Sequence, residues 1–579
     1  MGRLERWLRG PRVPLKMAVL GLILGLPALW MGFFVDDYAH RLAFMDVPGI
    51  ERLFRSPMQM FSFATGDPDT TRWAMEMGVY PWWTSGNVVA NFWRPATVVT
   101  HWVDYLLWPD TPFLMHLHNL LWFSALIAAV AVLYRRIGGT AWAAGLAALL
   151  FAVDEAHAFP MGWIANRNGT LTVFWGVVCL LMHDVWRRDG KRWALLPALI
   201  ALALGVHSNE NGVAATAYLF SYAVFIDKSP PKSRALSLVP YALLVVVWRA
   251  YYSAMGFGVG STALYIDPAS SPLGFLAALF QRAPILLLGQ WANTPSEPFT
   301  FLPFKAQAVY WLVAVAILVA LFVAFRPVLR QSAEARFWFL GMLLAVVPIC
   351  ASVPMNRHLL LAGIGAAGVL AHFIVMVRAA AFSAGRYARA VCSVMLVLHL
   401  IVAPVILAGT LVGMAGAAKV VNRLIDSATF PDDIATRTVV LINSPNTFLT
   451  AYTGIKLAID EKPVPAHMYV LSPIGLRPAP TRVTRTDERT LHFVPEGGFP
   501  WLIFRDDTEP FAVGDRVELP EMTVEVLKVD DIGRPQEVNY RFRVPLEDPT
   551  YYWTQIERLR YTPFTPPAVG ETVEFNVSG

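Results

Sequence analysis

Polar and charged side chains that could do chemistry stand at the ends of apolar segments along this chain. The clearest case is the acid pair Asp36 and Asp37, which directly follows the first apolar run, Met17 to Val35. Ionisable groups at a bilayer boundary are costly to keep, so they are functional candidates. A carboxylate there can act as a general base toward a hydroxyl group. The alternative is that the pair lies in the headgroup layer and only ends the span.

Further polar clusters between apolar runs supply the other groups that such a reaction needs. Arginine can bind phosphate through two parallel hydrogen bonds, and an acid can orient a hydroxyl group. Each cluster taken alone is equally well explained by helix capping, snorkelling or core packing. The clusters are Arg94 with His116 and Asn119; Asp154, Glu155 and His157 with Arg167; Glu210 within Ser208–Asn211; and Asn356 with Arg357 and His358.

The composition predicts a polytopic α-helical membrane protein. Of its 579 residues, 56% are hydrophobic, and the mean hydropathy is +0.47. Soluble domains are nearer 45–50% apolar, and a run of roughly 20 apolar residues crosses a bilayer. The hydropathy rule gives about 11 transmembrane helices. They are expected at 17–35, 112–134, 139–153, 168–185, 192–207, 212–227, 236–255, 308–326, 335–353, 358–377 and 390–413.

The apolar segment 273–292 differs from the predicted spans because Gln281 and Arg282 interrupt it. We expect a re-entrant or interfacial helix there. Without it, Lys and Arg fall in every second loop, which places the N-terminus in the cytoplasm by the positive-inside rule. The acid pair, the other polar clusters and the C-terminal region then share the opposite face, which favours a joint function. Short loops and the absence of sorting motifs favour a bacterial inner membrane, with the C-terminal region in the periplasm.

The chain is expected to form two domains. Residues 1–413 are the transmembrane domain, and its long external loop 36–111 is rich in tryptophan, which favours helices lying at the membrane interface. Residues 430–579 show the alternation typical of strands, so we expect a β-rich extracytoplasmic domain. Its predicted strands are Arg437–Asn443, Trp501–Arg505, Val517–Val529, Glu537–Val544 and Glu571–Val577.

Several function classes are disfavoured. The net charge of +5 comes from Lys and Arg in the loops between spans, so it reflects topology and gives no support for nucleic-acid binding. The three cysteines lie in or at the end of predicted spans, which excludes an external disulfide framework. The chain has no phosphate-binding G-x-x-x-x-G-K-[ST] loop, no H-E-x-x-H motif and no G-x-S-x-G motif.

In the residues of these polar clusters, the chain resembles the integral-membrane glycosyltransferases of the GT-C superfamily. Within that superfamily it resembles the protein O-mannosyltransferases and the tetratricopeptide-carrying transmembrane O-mannosyltransferases. Asp36-Asp37 resembles the acid motif that follows their first span. Departures stand at Asp154-Glu155, where the family has His-Pro, and at Phe159, Asn209 and His358. Further matches are Arg94, Pro95, Thr97, His116 and Asn119; Phe151, His157, Trp163 and Arg167; Ser208 and Glu210; and Arg357 and Gly363.

The resemblance implies a sugar donor linked to a polyprenyl phosphate and an acceptor hydroxyl on a protein, glycan or lipid. Asp36 or Asp37 would be the general base of one inverting displacement. Some members of the superfamily need a metal and others do not, so the resemblance leaves open a divalent cation, with Asp36, Asp154 and Glu155 as its candidate ligands. Phosphate binding would fall to Arg357, Arg94, Arg167 and His358, and acceptor orientation to Asp154, Glu155, His157, Glu210, His116 and Asn119.

Two other functions are compatible with the sequence. Intramembrane acids and arginines also suit a transporter or flippase for a lipid-linked or polar substrate. Against it, the ionisable residues gather at one predicted face, and the chain shows no inverted repeat. A membrane scaffold whose external domain binds a partner is the third interpretation.

Overall fold

The computed structural model describes residues 2–45, 47, 56–379, 385–444, 447–473 and 480–575. The chain packs as two compact units, each assembled from separate stretches of sequence. The first unit comprises Met1–Gly32, Trp93–Gly256 and Asp267–Gly416, and the second comprises Phe33–Phe92, Phe257–Ile266 and Ala417–Gly579.

The first unit is built from helices. Many of them begin with proline in the first turn, where its missing N–H is not needed. Large apolar side chains remain exposed on several helices, including Phe304 and Val247, as expected for surfaces that face lipid. The helices are Arg3–Arg9, Val13–Gly25, Pro95–Leu107, Pro112–Ile137, Ala141–Ala152, Ala158–Gly162, Arg167–Arg188, Leu195–Val206, Ala215–Phe225, Pro231–Ala254, Pro272–Ala292, Phe304–Gln331, Ala333–Ile349, Leu360–Ala379 and Arg386–Val397, with Ala403–Asp426 starting here.

The predicted fold class is confirmed: the chain is an integral membrane protein of apolar helices with a C-terminal β-rich region. The expected number of about 11 spans is not confirmed. Within the described residues, eight helices are long and apolar enough to cross a membrane, or nine if one bent pair counts as a span. The difference arises because the predicted spans 139–153, 192–207, 212–227 and 335–353 form shorter helices.

Segment 273–292 also differs from its prediction. It forms one helix, Pro272–Ala292, which is among those long and apolar enough to cross a membrane. Arg282 is accommodated because its guanidinium donates a hydrogen bond to the carbonyl of Cys350 at 3.0 Å. The Arg282 side chain is therefore satisfied by a neighbouring backbone segment, whereas Gln281 is exposed.

The second unit is built mainly from strands arranged in three sheets. A three-stranded antiparallel sheet has the order β1-β2-β3, a six-stranded antiparallel sheet β13-β6-β7-β10-β9-β8, and a four-stranded mixed sheet β12-β11-β4-β5. The strands are β1 Ser62–Thr65, β2 Val89–Asn91, β3 Gly258–Gly260, β4 Thr438–Leu441, β5 His467–Val470, β6 Thr481–Arg485, β7 Thr490–Pro495, β8 Arg516–Leu519, β9 Met522–Val529, β10 Pro535–Phe542, β11 Tyr551–Glu557, β12 Arg560–Pro563 and β13 Thr572–Phe575.

The C-terminal strand predictions are partly confirmed. Predicted strand 437–443 corresponds to β4, and 537–544 to β10, whereas 517–529 is divided into β8 and β9 by a turn. Residues 501–505 form a turn instead of a strand. The last predicted strand begins one residue before β13, and its end at Val577 lies outside the described residues. Helices Asp36–Leu42, Pro68–Glu76 and Thr447–Ile459 complete this unit.

Trp82 and Trp83 depart from the interfacial role expected of tryptophans in loop 36–111. Both are almost fully buried in the core of the second unit, packed with Phe499, Phe511 and Tyr540. The indole N–H of Trp82 donates to the Tyr540 hydroxyl at 2.8 Å. A buried tryptophan is satisfied by such a partner, so aromatic content alone could not distinguish a membrane interface from a β core.

Candidate active site

The acid pair lies at the start of the short helix Asp36–Leu42 in the second unit. Asp37 is 1% exposed, and its Oδ2 accepts a hydrogen bond from the backbone N–H of Phe34 at 2.9 Å. Asp36 is half-buried, and its Oδ1 accepts a hydrogen bond from the hydroxyl of Tyr452. The two acids therefore differ: Asp37 closes the turn, whereas Asp36 is the more accessible carboxylate.

The turn that delivers these acids is strained. Val35 has φ 50° and ψ −111°, a conformation in which a β-branched side chain is a true outlier. Such a residue costs on the order of 1–3 kcal/mol and persists only where its surroundings impose it. Here Asn422 contributes: it donates to the Phe33 carbonyl at 3.2 Å and accepts from Tyr38 at 2.8 Å.

In the first unit, Asn356 fixes the backbone beside Arg357. Its side-chain amide donates to Glu155 Oε1 at 2.9 Å and to the carbonyl of Thr294 at 3.0 Å. Its backbone N–H donates to Glu297 Oε1 at 2.8 Å, and its amide oxygen accepts from the N–H of Ser296 at 3.2 Å. These bonds join separate segments, so the short 3-10 helix Asn356–His358 is held firmly in place.

The side chain of Arg357 has fewer described contacts than that of Asn356. Its half-buried guanidinium lies over the Trp163 ring, 5.3 Å from the centroid. Its Nε is buried without a hydrogen-bond partner, and Arg357 forms no ion pair with any residue that the structure describes. Because a buried charge is normally paired, this guanidinium has the character of an anion-binding group.

His358, the residue next to Arg357, is a neutral polar group. Burial, and then the charges of Arg357 and Arg94, lower the pKa of His358 to about 3, so its imidazole is neutral near pH 7. A neutral imidazole can donate one hydrogen bond and accept another. Ser352 Oγ lies 3.3 Å from His358 Nδ1. His358 therefore offers polarity to a ligand without adding charge.

Arg94 is paired with Glu210. The guanidinium donates from Nε at 3.0 Å and from Nη2 at 2.7 Å to Glu210 Oε2, and the Tyr252 hydroxyl donates to Oε1 at 3.3 Å. The structure thus unites two residues that the sequence placed in separate clusters. The charge of Arg94 is largely balanced, so its electrostatic effect on an anion is weaker than that of Arg357.

Asp154 and Glu155 lie where the helix pair Ala141–Ala152 and Glu155–Gly162 bends by 50°. Asp154 is 5% exposed and accepts from the N–H of Ala156 at 3.0 Å and from Gln290 at 2.8 Å. Glu155 is bound to Asn356, as described above. Asp154 therefore braces the bend, and Glu155 braces the segment that carries Arg357. The sequence had not indicated Gln290 or Glu297, because single polar residues near apolar helices give no periodic signal.

Arg167 belongs to a different network. It is fully buried, and its Nη2 lies 2.6 Å from Oδ2 of the equally buried Asp104. Asp104 Oδ1 lies 2.6 Å from His118 Nδ1, and the indole of Trp122 donates to His118 Nε2 at 2.9 Å. Arg167 also donates to the carbonyl of Met115 at 3.1 Å. The donors of its two Nη groups are thus committed to protein groups, which favours a structural role over phosphate binding, although its Nε is buried without a hydrogen-bond partner.

Removal of the Arg167 charge is expected to destabilise the protein strongly. Breaking a buried ion pair by removing one partner costs about 3–5 kcal/mol, because the other charge stays buried and unpaired. Arg167→Met should therefore lower the thermal unfolding temperature of the detergent-solubilised protein, and Asp104→Leu should do the same. The double variant should recover part of the loss. An unchanged unfolding temperature in Arg167→Met would contradict a structural role for the pair.

The remaining predicted site residues are buried in the first unit. His116 Nε2 lies 2.9 Å from the carbonyl of Gly32, and Asn119 donates to the carbonyls of Pro160 and Met161 at 3.0 and 2.8 Å. His157 is packed edge-on against Phe123 and Phe151. These contacts tie helices together. Within the described stretches of chain, no group of three or more His, Cys, Asp and Glu side chains is arranged to hold a metal ion.

The fold and these clusters define a polytopic membrane protein with a partly unbalanced cationic site. No family model matches the chain. It is similar to the protein O-mannosyl-transferase Tmtc2 of Drosophila melanogaster, with 26% identity over 250 residues, which are 39% of this chain and 24% of that protein. The chain thus spans about a quarter of the length of this curated relative. The predicted resemblance to the transmembrane O-mannosyltransferase group is confirmed by this match.

Two solved structures are also similar. They are crystal structures of ArnT from Cupriavidus metallidurans, one in the apo state and one bound to undecaprenyl phosphate. The apo structure is 13% identical with a TM-score of 0.38 and covers 78% of this chain and 84% of its own. The bound structure is 14% identical with a TM-score of 0.35 and covers 78% and 85%.

Proposed function

We propose that this protein is a membrane glycosyltransferase of the GT-C type that uses a lipid-phosphate-linked sugar. The observation that carries the proposal is Arg357, a half-buried guanidinium stacked on Trp163 with no ion-pair partner among the described residues. A phosphate is a natural partner for such a group, since guanidinium geometry matches it through two hydrogen bonds. The similarity to an O-mannosyl-transferase supports the same function.

In the proposed reaction, Asp36 accepts the proton of an acceptor hydroxyl as general base. The hydroxyl oxygen attacks the anomeric carbon, and the bond from that carbon to the phosphate oxygen breaks. The lipid phosphate leaves with the bonding electrons, and Arg357 stabilises the charge that develops on it. A single displacement inverts the anomeric configuration. We assign Asp37 to the geometry of the turn, because its carboxylate is buried against the Phe34 N–H.

The other residues have supporting roles in this proposal. Arg94 and Glu210 form a balanced pair that orients the acceptor or the donor, and His358 adds a neutral polar contact. Glu155 acts through Asn356 on the position of Arg357. Asp154, His116, Asn119 and His157 hold the surrounding helices, and Arg167 holds Asp104. We further propose that the chemistry takes place on the extracytoplasmic face of a bacterial inner membrane, with a protein or glycan as acceptor.

A transfer assay tests the proposal. Purified full-length protein is supplied with a panel of polyprenyl-phosphate sugars, together with peptide and glycan acceptors, and product and released lipid phosphate are measured. We expect stoichiometric release of lipid phosphate with at least one sugar, and an inverted anomeric configuration in the product. Movement of the donor across proteoliposome membranes without any chemical change would instead support a flippase and would overturn the proposal.

A further inference from the structure

Tyr452 connects the C-terminal part of the second unit to the acid pair. It lies on helix Thr447–Ile459, which packs against helix Asp36–Leu42, and its hydroxyl donates a hydrogen bond to Asp36 Oδ1. The residues are 416 positions apart in the sequence, a separation at which no local pattern predicts contact. A phenol aimed at one carboxylate oxygen can restrict the orientation of that carboxylate.

Tyr452 is suited to act as a permanent donor. Burial, followed by the neighbouring carboxylate of Asp36, raises the pKa of Tyr452 well above its ordinary value, and Asp37 and Tyr80 act in the same direction. The phenol therefore keeps its proton at every pH at which a carboxylate titrates. Donation to a carboxylate favours its ionised form, which is the form that a general base needs.

The helix that carries Tyr452 is anchored by other residues. Lys456, one turn further on, lies 2.8 Å from Asp426 and 2.5 Å from Asp460. Thr453 shares a hydrogen bond of 2.8 Å with the Tyr561 hydroxyl. Since these contacts fix the helix independently, the Tyr452 hydroxyl is not needed to hold it in place. Its contact with Asp36 is then available for a functional role.

We propose that Tyr452 is a positioning residue for the general base: its phenol fixes the Asp36 carboxylate in the orientation and ionisation state required for proton abstraction. This inference rests on the proposed function, because it assigns Asp36 the role of base. It also gives the C-terminal β-rich part of the chain a share in catalysis, beyond any binding of an acceptor.

Kinetics of Tyr452→Phe test the inference. A hydrogen bond to a charged group is stronger than one between neutral groups, so kcat should fall by about 10-fold or more, while KM for the lipid-linked donor stays unchanged. Loss of the donor raises the proton affinity of a carboxylate. The acidic limb of the pH–rate profile should therefore move to higher pH by about one unit, and activity should partly recover at alkaline pH. A purely structural role would not move that limb.

Tyr561→Phe is the matched control. It removes a hydroxyl that contacts Thr453, the residue next to Tyr452, but leaves Asp36 untouched. We expect this variant to keep the wild-type kcat and pH profile, and both variants to keep the wild-type thermal unfolding temperature. If Tyr452→Phe matches the wild type in kcat and in pH profile, or loses activity only together with folded protein, the inference is overturned.

The outcomes for Asp36 separate this inference from the proposed function. If Asp36→Asn is inactive while Tyr452→Phe behaves like the wild type, the positioning role fails and the base assignment stands. If Asp36→Asn retains full turnover, or if the wild type transfers no sugar, the proposed function fails first, and the role of Tyr452 falls with it.

Discussion

Asp36→Asn is expected to reduce kcat for sugar transfer by about 10²- to 10⁴-fold, the usual contribution of a positioned general base. Asparagine keeps the size of the side chain and can still accept the Tyr452 hydrogen bond, but it cannot take a proton from the acceptor. KM for the donor should change little, because phosphate binding is assigned to Arg357. Steady-state rates of product formation at saturating donor and acceptor give the measurement.

Asp37→Asn is the internal control for this experiment. Asp37 is buried, and it accepts a hydrogen bond from the Phe34 N–H, which the amide oxygen of asparagine can still accept. We therefore expect a far smaller loss of kcat than in Asp36→Asn. Equal losses would show that the turn as a whole matters more than either carboxylate. Full turnover in both variants would disprove the assignment of the base to this pair.

Arg357→Ala is expected to have the second large effect, on the donor. Loss of a charge-assisted phosphate contact costs about 1.5–3 kcal/mol in binding, and more when the contact strengthens as charge develops on the leaving group. KM for the lipid-linked sugar should therefore rise by about 10- to 100-fold, and kcat should fall as well. The variant should fold normally, because the guanidinium forms no ion pair with any described residue.

Two further variants sharpen the test of Arg357. Arg357→Lys keeps a positive charge but loses the planar, two-donor geometry, so it should lie between the wild type and alanine. Arg135→Ala removes an arginine whose described hydrogen bond is to the Gly10 carbonyl, and we expect its kinetics to match those of the wild type. An unchanged KM for the donor in Arg357→Ala would show that the phosphate binds elsewhere.

The sequence predicted the fold class well because hydropathy reports directly on burial in lipid. It overestimated the number of spans where apolar runs form helices too short to cross a bilayer, such as Leu195–Val206. It also did not predict that Pro272–Ala292 is long and apolar enough to cross a membrane, because Gln281 and Arg282 interrupt the apolar run. The structure shows that Arg282 is bonded to the Cys350 carbonyl. A backbone carbonyl in a distant segment cannot be identified as a partner from a sequence pattern.

The residues of the candidate site could be proposed from the sequence in part. Charged residues beside apolar runs identified the acid pair, Arg357 and Arg94 as candidates, and the structure adds their partners. It joins Arg94 to Glu210 and Asn356 to Glu155, and it ties Arg167 to Asp104. Asp104 was missed because it lies inside the helix Pro95–Leu107, whereas the candidate clusters were sought at the ends of apolar runs. Pairing between distant helices is decided by packing, which periodicity and composition do not encode.

The strained backbone of Val35 limits how this protein can be stabilised. Glycine is the residue that its backbone conformation suits, so Val35→Gly would relieve about 1–3 kcal/mol of strain at an entropic cost of about 0.4–1 kcal/mol. The same change would loosen the chain immediately ahead of Asp36. A substitution that raises the stability of the folded protein at this position is therefore expected to lower its turnover. Variants designed for higher thermal stability should keep Val35.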